Sequence, residues 1–206
     1  MRIILLILVS LALASCTLKP VETVYHEDED MTSFTTKPLK TSLEDHEIEL
    51  VATRECPGKV ICTEKEIELT ITHTERFSFL KGKDLVLKTE EEEINLNERN
   101  YSNSYDMNTK AKDGTDGVLK EKFLIWVSES DFRKAAYAKT AIMNVGSDSF
   151  ELSDEGRDNW QIMLDRERLL EVMDDEQQRE YGQYPHEKKN IKEITLQEKR
   201  MSSEAE

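Results

Sequence analysis

Glu66-Ile67-Glu68-Leu69-Thr70-Ile71-Thr72-His73-Thr74-Glu75-Arg76-Phe77-Ser78-Phe79 alternates between two kinds of residue, and that alternation decides the fold. Ile67, Leu69, Ile71 and His73, then Phe77 and Phe79, share one parity, while Glu68, Thr70, Thr72 and Thr74 share the other. Successive side chains of a strand point to opposite faces, so this segment reads as a strand with one face in a core and the other in water. Lys81-Gly82-Lys83-Asp84 then turns the chain, and Leu85 and Leu87 resume the alternation. Ile94 and Leu96 give a third short strand after the solvated run of Glu90 to Glu93, so an antiparallel meander is expected.

Downstream, residues 97–117 are rich in Asn, Ser, Tyr, Asp and Gly and lack apolar periodicity. They read as a long exposed loop on which Tyr101 and Tyr105 could form a recognition surface. Residues 118–127 carry apolar side chains on both parities, as expected of a central strand covered on both faces. Ser128 stands at a helix N-cap position, with Phe132, Ala135 and Ala136 at helical spacing behind it. Ala141, Met143 and Val145, the turn Gly146-Ser147-Asp148, then Phe150 and Leu152 predict a hairpin. Ser153 caps a second helix carrying Trp160, Met163, Leu164, Leu169, Leu170, Val172 and Met173. This order predicts an α+β domain over 46–173: a largely antiparallel β-sheet with two helices in the C-terminal half packed on it. Residues 174–206 read as a charged helical or disordered tail. Residues 16–45, with few aliphatics, read as the N-terminus and a disordered tether reaching on the order of 30 Å.

The N-terminus carries an address. Met1-Arg2 is a brief cationic start, residues 3–12 are almost continuously aliphatic, and small residues lead into a cysteine. This is the pattern of a secretory signal peptide over 1–15, and it is short of the ~20 residues that a spanning helix needs. Leu13-Ala14-Ser15-Cys16 resembles the lipobox of bacterial lipoprotein precursors. That resemblance implies lipidation at Cys16, with anchoring in the cell envelope. Thr17 is not the aspartate that retains such proteins at the inner membrane of enterobacteria, so the outer membrane is favoured where two membranes exist. Residues 124–164 are also similar to a stretch found in uncharacterised bacterial envelope lipoproteins: an aliphatic strand, Val127-Ser128-Glu129, an Ala-rich helix, a Gly turn and Phe150-Glu151-Leu152. If Cys16 takes lipid, Cys56 and Cys62 remain as a pair, and export implies an oxidising compartment in which they form a disulfide. A loop this short contributes about 2 to 2.5 kcal/mol, enough to pin one turn.

The chain has 28 basic and 43 acidic residues, a formal net charge of −15. Without a basic patch to displace counterions from phosphates, nucleic acid is not expected as a partner. Membrane contact is then expected through lipid on Cys16 alone. No nucleophile elbow, zinc-protease pair, dinucleotide fingerprint or phosphate loop is present, and only seven glycines are available to build one. His26 and His46 fall in or beside the expected tether and His186 in the tail. His73, the histidine inside a strand, reads as a ring at the rim of the core with one nitrogen solvated, so neither a metal site nor a cofactor is expected. Asp113-Gly114-Thr115-Asp116-Gly117 lacks the spacing of a calcium loop and reads as a turn. These observations lead to a membrane-anchored envelope lipoprotein acting as a non-catalytic binding or assembly module on an unknown envelope protein or ligand. The alternative is a small-molecule-binding lipoprotein or a weak carboxylate-dependent hydrolase.

Overall fold

A computed structural model describes residues 19–43, 46–63, 65–96 and 99–183. Cys16, the signal segment and the tail beyond Gln183 lie outside the described residues. The chain runs β1 (Val21–His26), β2 (Met31–Thr36), β3 (Leu39–Leu43), β4 (His46–Pro57), β5 (Glu66–Glu75), β6 (Leu85–Thr89), β7 (Glu93–Asn95), β8 (Arg99–Lys110) and β9 (Asp116–Ser128). It continues with α1 (Glu129–Tyr137), β10 (Ala141–Val145), β11 (Asp148–Glu151), α2 (Asp154–Leu164), α3 (Arg166–Val172) and α4 (Asp175–Gly182). The larger sheet has the order β1-β2-β4-β5-β9-β8, with β3 beside the N-terminal half of β4, and the smaller has the order β11-β10-β6-β7. All of these pairings are antiparallel. The α+β architecture therefore stands, but with four helices among the described residues instead of two.

β5 follows its alternation over Glu66–Glu75, with Ile67, Leu69, Ile71 and His73 buried and Glu68, Thr70 and Thr72 half-exposed, but it stops there, and Phe77, expected on the core face, is 70% exposed. Its inner face continues into Ile48, Leu50 and Ala52 of β4 and Phe123, Ile125 and Val127 of β9. Against these rows pack Phe132, Ala135 and Ala136 of α1 and Trp160 and Met163 of α2, with the Phe132 and Trp160 rings 4.5 Å apart. The smaller sheet closes the side of the core with Leu85, Leu87, Met143 and Val145. Both serine caps form, Ser128 accepting from the Asp131 amide and Ser153 from the Gly156 amide.

Six expectations need correction. The stretch expected as a tether contains β1, β2 and β3. The core face of β2 carries two threonines around one aromatic ring: Thr32, Phe34 and Thr36 are buried. Threonine is β-branched and suits a strand, but its hydroxyl must be satisfied when buried. Thr32 donates to the Gly58 carbonyl at 2.6 Å and Thr36 accepts from the Ala52 amide at 3.0 Å. The acidic run Glu27-Asp28-Glu29-Asp30 is the β1–β2 turn.

The expected loop at 97–117 contains β8, an edge strand. Only one side of it is paired, and residues 102–110 are exposed on both faces, so no apolar alternation marks it. β9 next to it is buried on one face only, with Trp126 exposed on the other. The expected meander is split, since β5 belongs to the larger sheet and β6 and β7 to the smaller.

The second helix ends at Asp165, whose carboxylate accepts from the Glu167 and Arg168 amides and so starts α3. The tail boundary at 174 also moves. Asp174 and Gln177 form a capping box for α4, and Tyr181 is buried against the Phe34 ring with its hydroxyl 3.1 Å from Thr32 Oγ1.

Candidate functional site

The inner face of the larger sheet changes character along its strands. Even positions of β4 run inward from Cys56 and Arg54 through aliphatic residues to Ile48 and then His46, while odd positions of β5 run from Ile67 to His73 and then Glu75. The register pairs Ile48 with His73 and His73 with Glu121 of β9. Continuing the β4–β5 register by two residues sets His46 across from Glu75. One end of the sheet thus gathers two histidines and two carboxylates on a face whose middle is aliphatic.

Glu121 is the centre of this cluster. It is 0% exposed, and its carboxylate accepts from five donors. Oε1 accepts from the Ser78 and Tyr101 hydroxyls, both at 2.6 Å. Oε2 accepts from the Phe79 amide at 2.5 Å, the Leu80 amide at 3.0 Å and His73 Nδ1 at 3.1 Å. Burial alone would push this carboxyl group up. The donors from Phe79, Ser78, Tyr101 and Leu80 outweigh that and bring it down to about 2, so Glu121 is an anion. A carboxylate can only accept, so its contact with His73 places a proton on Nδ1. Burial lowers the His73 pKa against the pull of Glu121, leaving a neutral ring whose Nε2 carries a lone pair.

That Nε2 is buried and has no hydrogen-bond partner among the described residues. The same holds for His46 Nδ1 and Glu75 Oε1. His46 Nδ1 lies 3.3 Å from Glu75 Oε2. The His46 ring is 5.3 Å from that of His73 in an edge-on arrangement and 4.2 Å from that of Phe79. One ligand atom each from His46, His73 and Glu75 fall within 4.8 Å of one another.

The residues singled out from sequence are distributed differently. Cys56 and Cys62 are joined by a disulfide, as expected, with Cα atoms 5.6 Å apart. The intervening loop docks on the β1–β2 turn through the Gly58 amide, which donates to the Asp30 carbonyl. This bridge lies at the far end of β4 from His46, ten residues and about 33 Å along the strand. Tyr101 is not a free recognition residue, because its hydroxyl is engaged by Glu121. Tyr105 is exposed on β8 and lies across Gly117, where φ is +86° and an added Cβ would meet the Tyr105 ring. His73 is 0% exposed, so the solvated nitrogen expected of it is not there. Asp113 forms the expected turn, accepting from the Thr115 amide and hydroxyl at 3.0 and 2.7 Å.

The sequence alone did not show the cluster, because it set His46 at the edge of a tether and did not pair β5 with β9. The parity of His46, His73, Glu75 and Glu121 on their strands was the available signal. No family model matches the chain, and neither the curated proteins nor the solved structures give a significant match.

Proposed function

We propose that the chain is a lipid-anchored envelope lipoprotein whose β-rich domain is a non-catalytic binding or assembly module. The observation that carries this reading is Leu13-Ala14-Ser15-Cys16, a lipobox-like tetrapeptide at the end of a signal-like apolar run. Two or more acyl chains on Cys16 anchor stably, as one does not. No helix among the described residues is long and apolar enough to cross a membrane. Cys16 precedes Val21, the first residue of β1, by five residues, a reach of at most about 18 Å. The domain therefore sits next to the surface that holds it, the outer membrane where there are two.

A binding role suits a body whose space between sheet and helices is filled by Phe34, Phe132, Trp160 and Leu169. The concavity lined by Thr36, Lys37, Pro38 and Val51 is a surface groove, not an enclosed cavity for a small molecule. The β8–β9 hairpin, with Tyr105 and Met107 exposed, is the surface offered to a partner. Metabolic labelling with an alkyne fatty acid tests the anchor: the parent chain takes label and Cys16→Ser does not. Label persisting in Cys16→Ser overturns the assignment. A photo-crosslinker at Met107 is expected to give one discrete adduct in cells where a crosslinker at Glu171 gives none, and indiscriminate adducts from both positions would contradict a specific module.

A further inference from the structure

We propose that His46, His73 and Glu75 form a binding site for one divalent transition-metal ion of the Zn2+ class at the open end of the β4–β5 pair. The donor set is two imidazole nitrogens and one carboxylate oxygen, with ligand atoms within 4.8 Å of one another. Ligands at about 2.0–2.2 Å in a tetrahedron stand about 3.2–3.6 Å apart. Drawing three atoms inward by that margin takes small side-chain rotations, and His46 and Glu75 are only partly buried and free to make them. His73 need not move, because it is the fixed member.

The second observation is the unpartnered His73 Nε2, 0% exposed and on the same face as the other two ligands. A buried nitrogen without a partner costs stability unless something occupies its lone pair. The opposite nitrogen of the ring is held by Glu121, and Glu121 is held by Ser78, Tyr101 and two backbone amides. A histidine that ligates a metal commonly donates its other N–H to a carboxylate, which fixes tautomer and ring orientation. Here that support is complete, with His73, Glu121 and Tyr101 on strands and Ser78, Phe79 and Leu80 in the segment that follows β5. Two nitrogen donors select against Mg2+ and Ca2+, which take oxygen. Glu75 and Glu121 together balance a charge of +2. Three protein ligands leave a fourth position directed to the solvent side, where His46 and Glu75 are partly exposed.

This site goes beyond the anchoring and binding reading and does not depend on it. The test uses the full chain, solubilised in detergent, stripped with chelator and titrated with Zn2+ by calorimetry. One equivalent is expected to bind, unaffected by excess Ca2+ or Mg2+. His46→Ala and Glu75→Gln are each expected to weaken it by about 100-fold while keeping the circular dichroism of the parent. Absence of one-equivalent binding, equal binding by both variants, or equal competition by Ca2+ overturns the proposal. In those cases the polar atoms are met by an ordered water, or the acidic surface collects cations generally. Histidine 15N resonances of the parent chain give a readout that needs no variant. Zn2+ is expected to shift the ring nitrogens of His46 and His73 and spare those of His26 and His186, and the reverse pattern overturns the site.

Discussion

The two ends of β4 solve the same problem differently. At the Cys56 end a disulfide closes the strand onto its following turn, and the buried hydroxyls of Thr32 and Thr36 have hydrogen-bond partners. At the His46 end the strand is held by a buried carboxylate and two rings, and three buried polar atoms have no hydrogen-bond partner among the described residues. The first end is held locally, by the disulfide and the threonine contacts. The second joins β5, β8, β9 and the segment Ser78 to Leu80 through Glu121, with β4 reaching the cluster through His46, and its leftover capacity is what a ligand could use. A structural end and a functional end are thereby separated along one strand.

Breaking the His46 end has the largest expected effect. Glu121→Ala leaves the Phe79 and Leu80 amides, Ser78, Tyr101 and His73 without their acceptor, and a loss of about 3–5 kcal/mol in denaturant unfolding is expected. Breaking the other end costs less. Cys56→Ser with Cys62→Ser removes a short-loop cross-link and is expected to cost about 2 to 2.5 kcal/mol, leaving the histidine resonances in place.

Acid sharpens the comparison, because the buried carboxylate and imidazole lie at the His46 end. Glu121 falls from its usual 4.5 to about 2 in the folded state, so the stability it contributes is present above 4.5 and lost as pH drops toward about 2. His73 is lowered from 6.5, so its contribution acts in the same direction and begins to fade below 6.5. The unfolding free energy is expected to decline from about pH 6.5 downward, and a Glu121→Gln chain is expected to decline less. Equal slopes would contradict the assignment. The smallest effect is at the Cys56 end, where Tyr181→Phe removes the hydroxyl contact with Thr32. About 1 kcal/mol is expected by thermal unfolding.

Periodicity made β5 legible, and chemistry made the caps at Ser128 and Ser153 and the Cys56–Cys62 pairing legible. β2 was not, because Thr32 and Thr36 look polar in sequence yet work as β-branched core residues once their hydroxyls are satisfied. β8 was not, because beyond Tyr101 its residues 102–110 are exposed and backbone hydrogen bonds with β9 hold them without an apolar face. The candidate site was the least legible part. His73 and Glu121 are 48 residues apart and meet only through the β5–β9 register, and His46 arrives through the β4–β5 register. Each residue alone is an unremarkable polar group at a strand end, and only the pairing of three strands makes them neighbours.

The central claim is that Glu121 holds His73 as the neutral tautomer with its proton on Nδ1, leaving Nε2 as a buried lone pair. A long-range 1H–15N spectrum of the metal-free chain near pH 7 measures this directly. A protonated Nδ1 with an unprotonated Nε2 at His73 is the predicted result. A proton on Nε2, with Nδ1 bare, would contradict the account, because Glu121 could not then accept from the ring and the lone pair would face its carboxylate instead of a ligand.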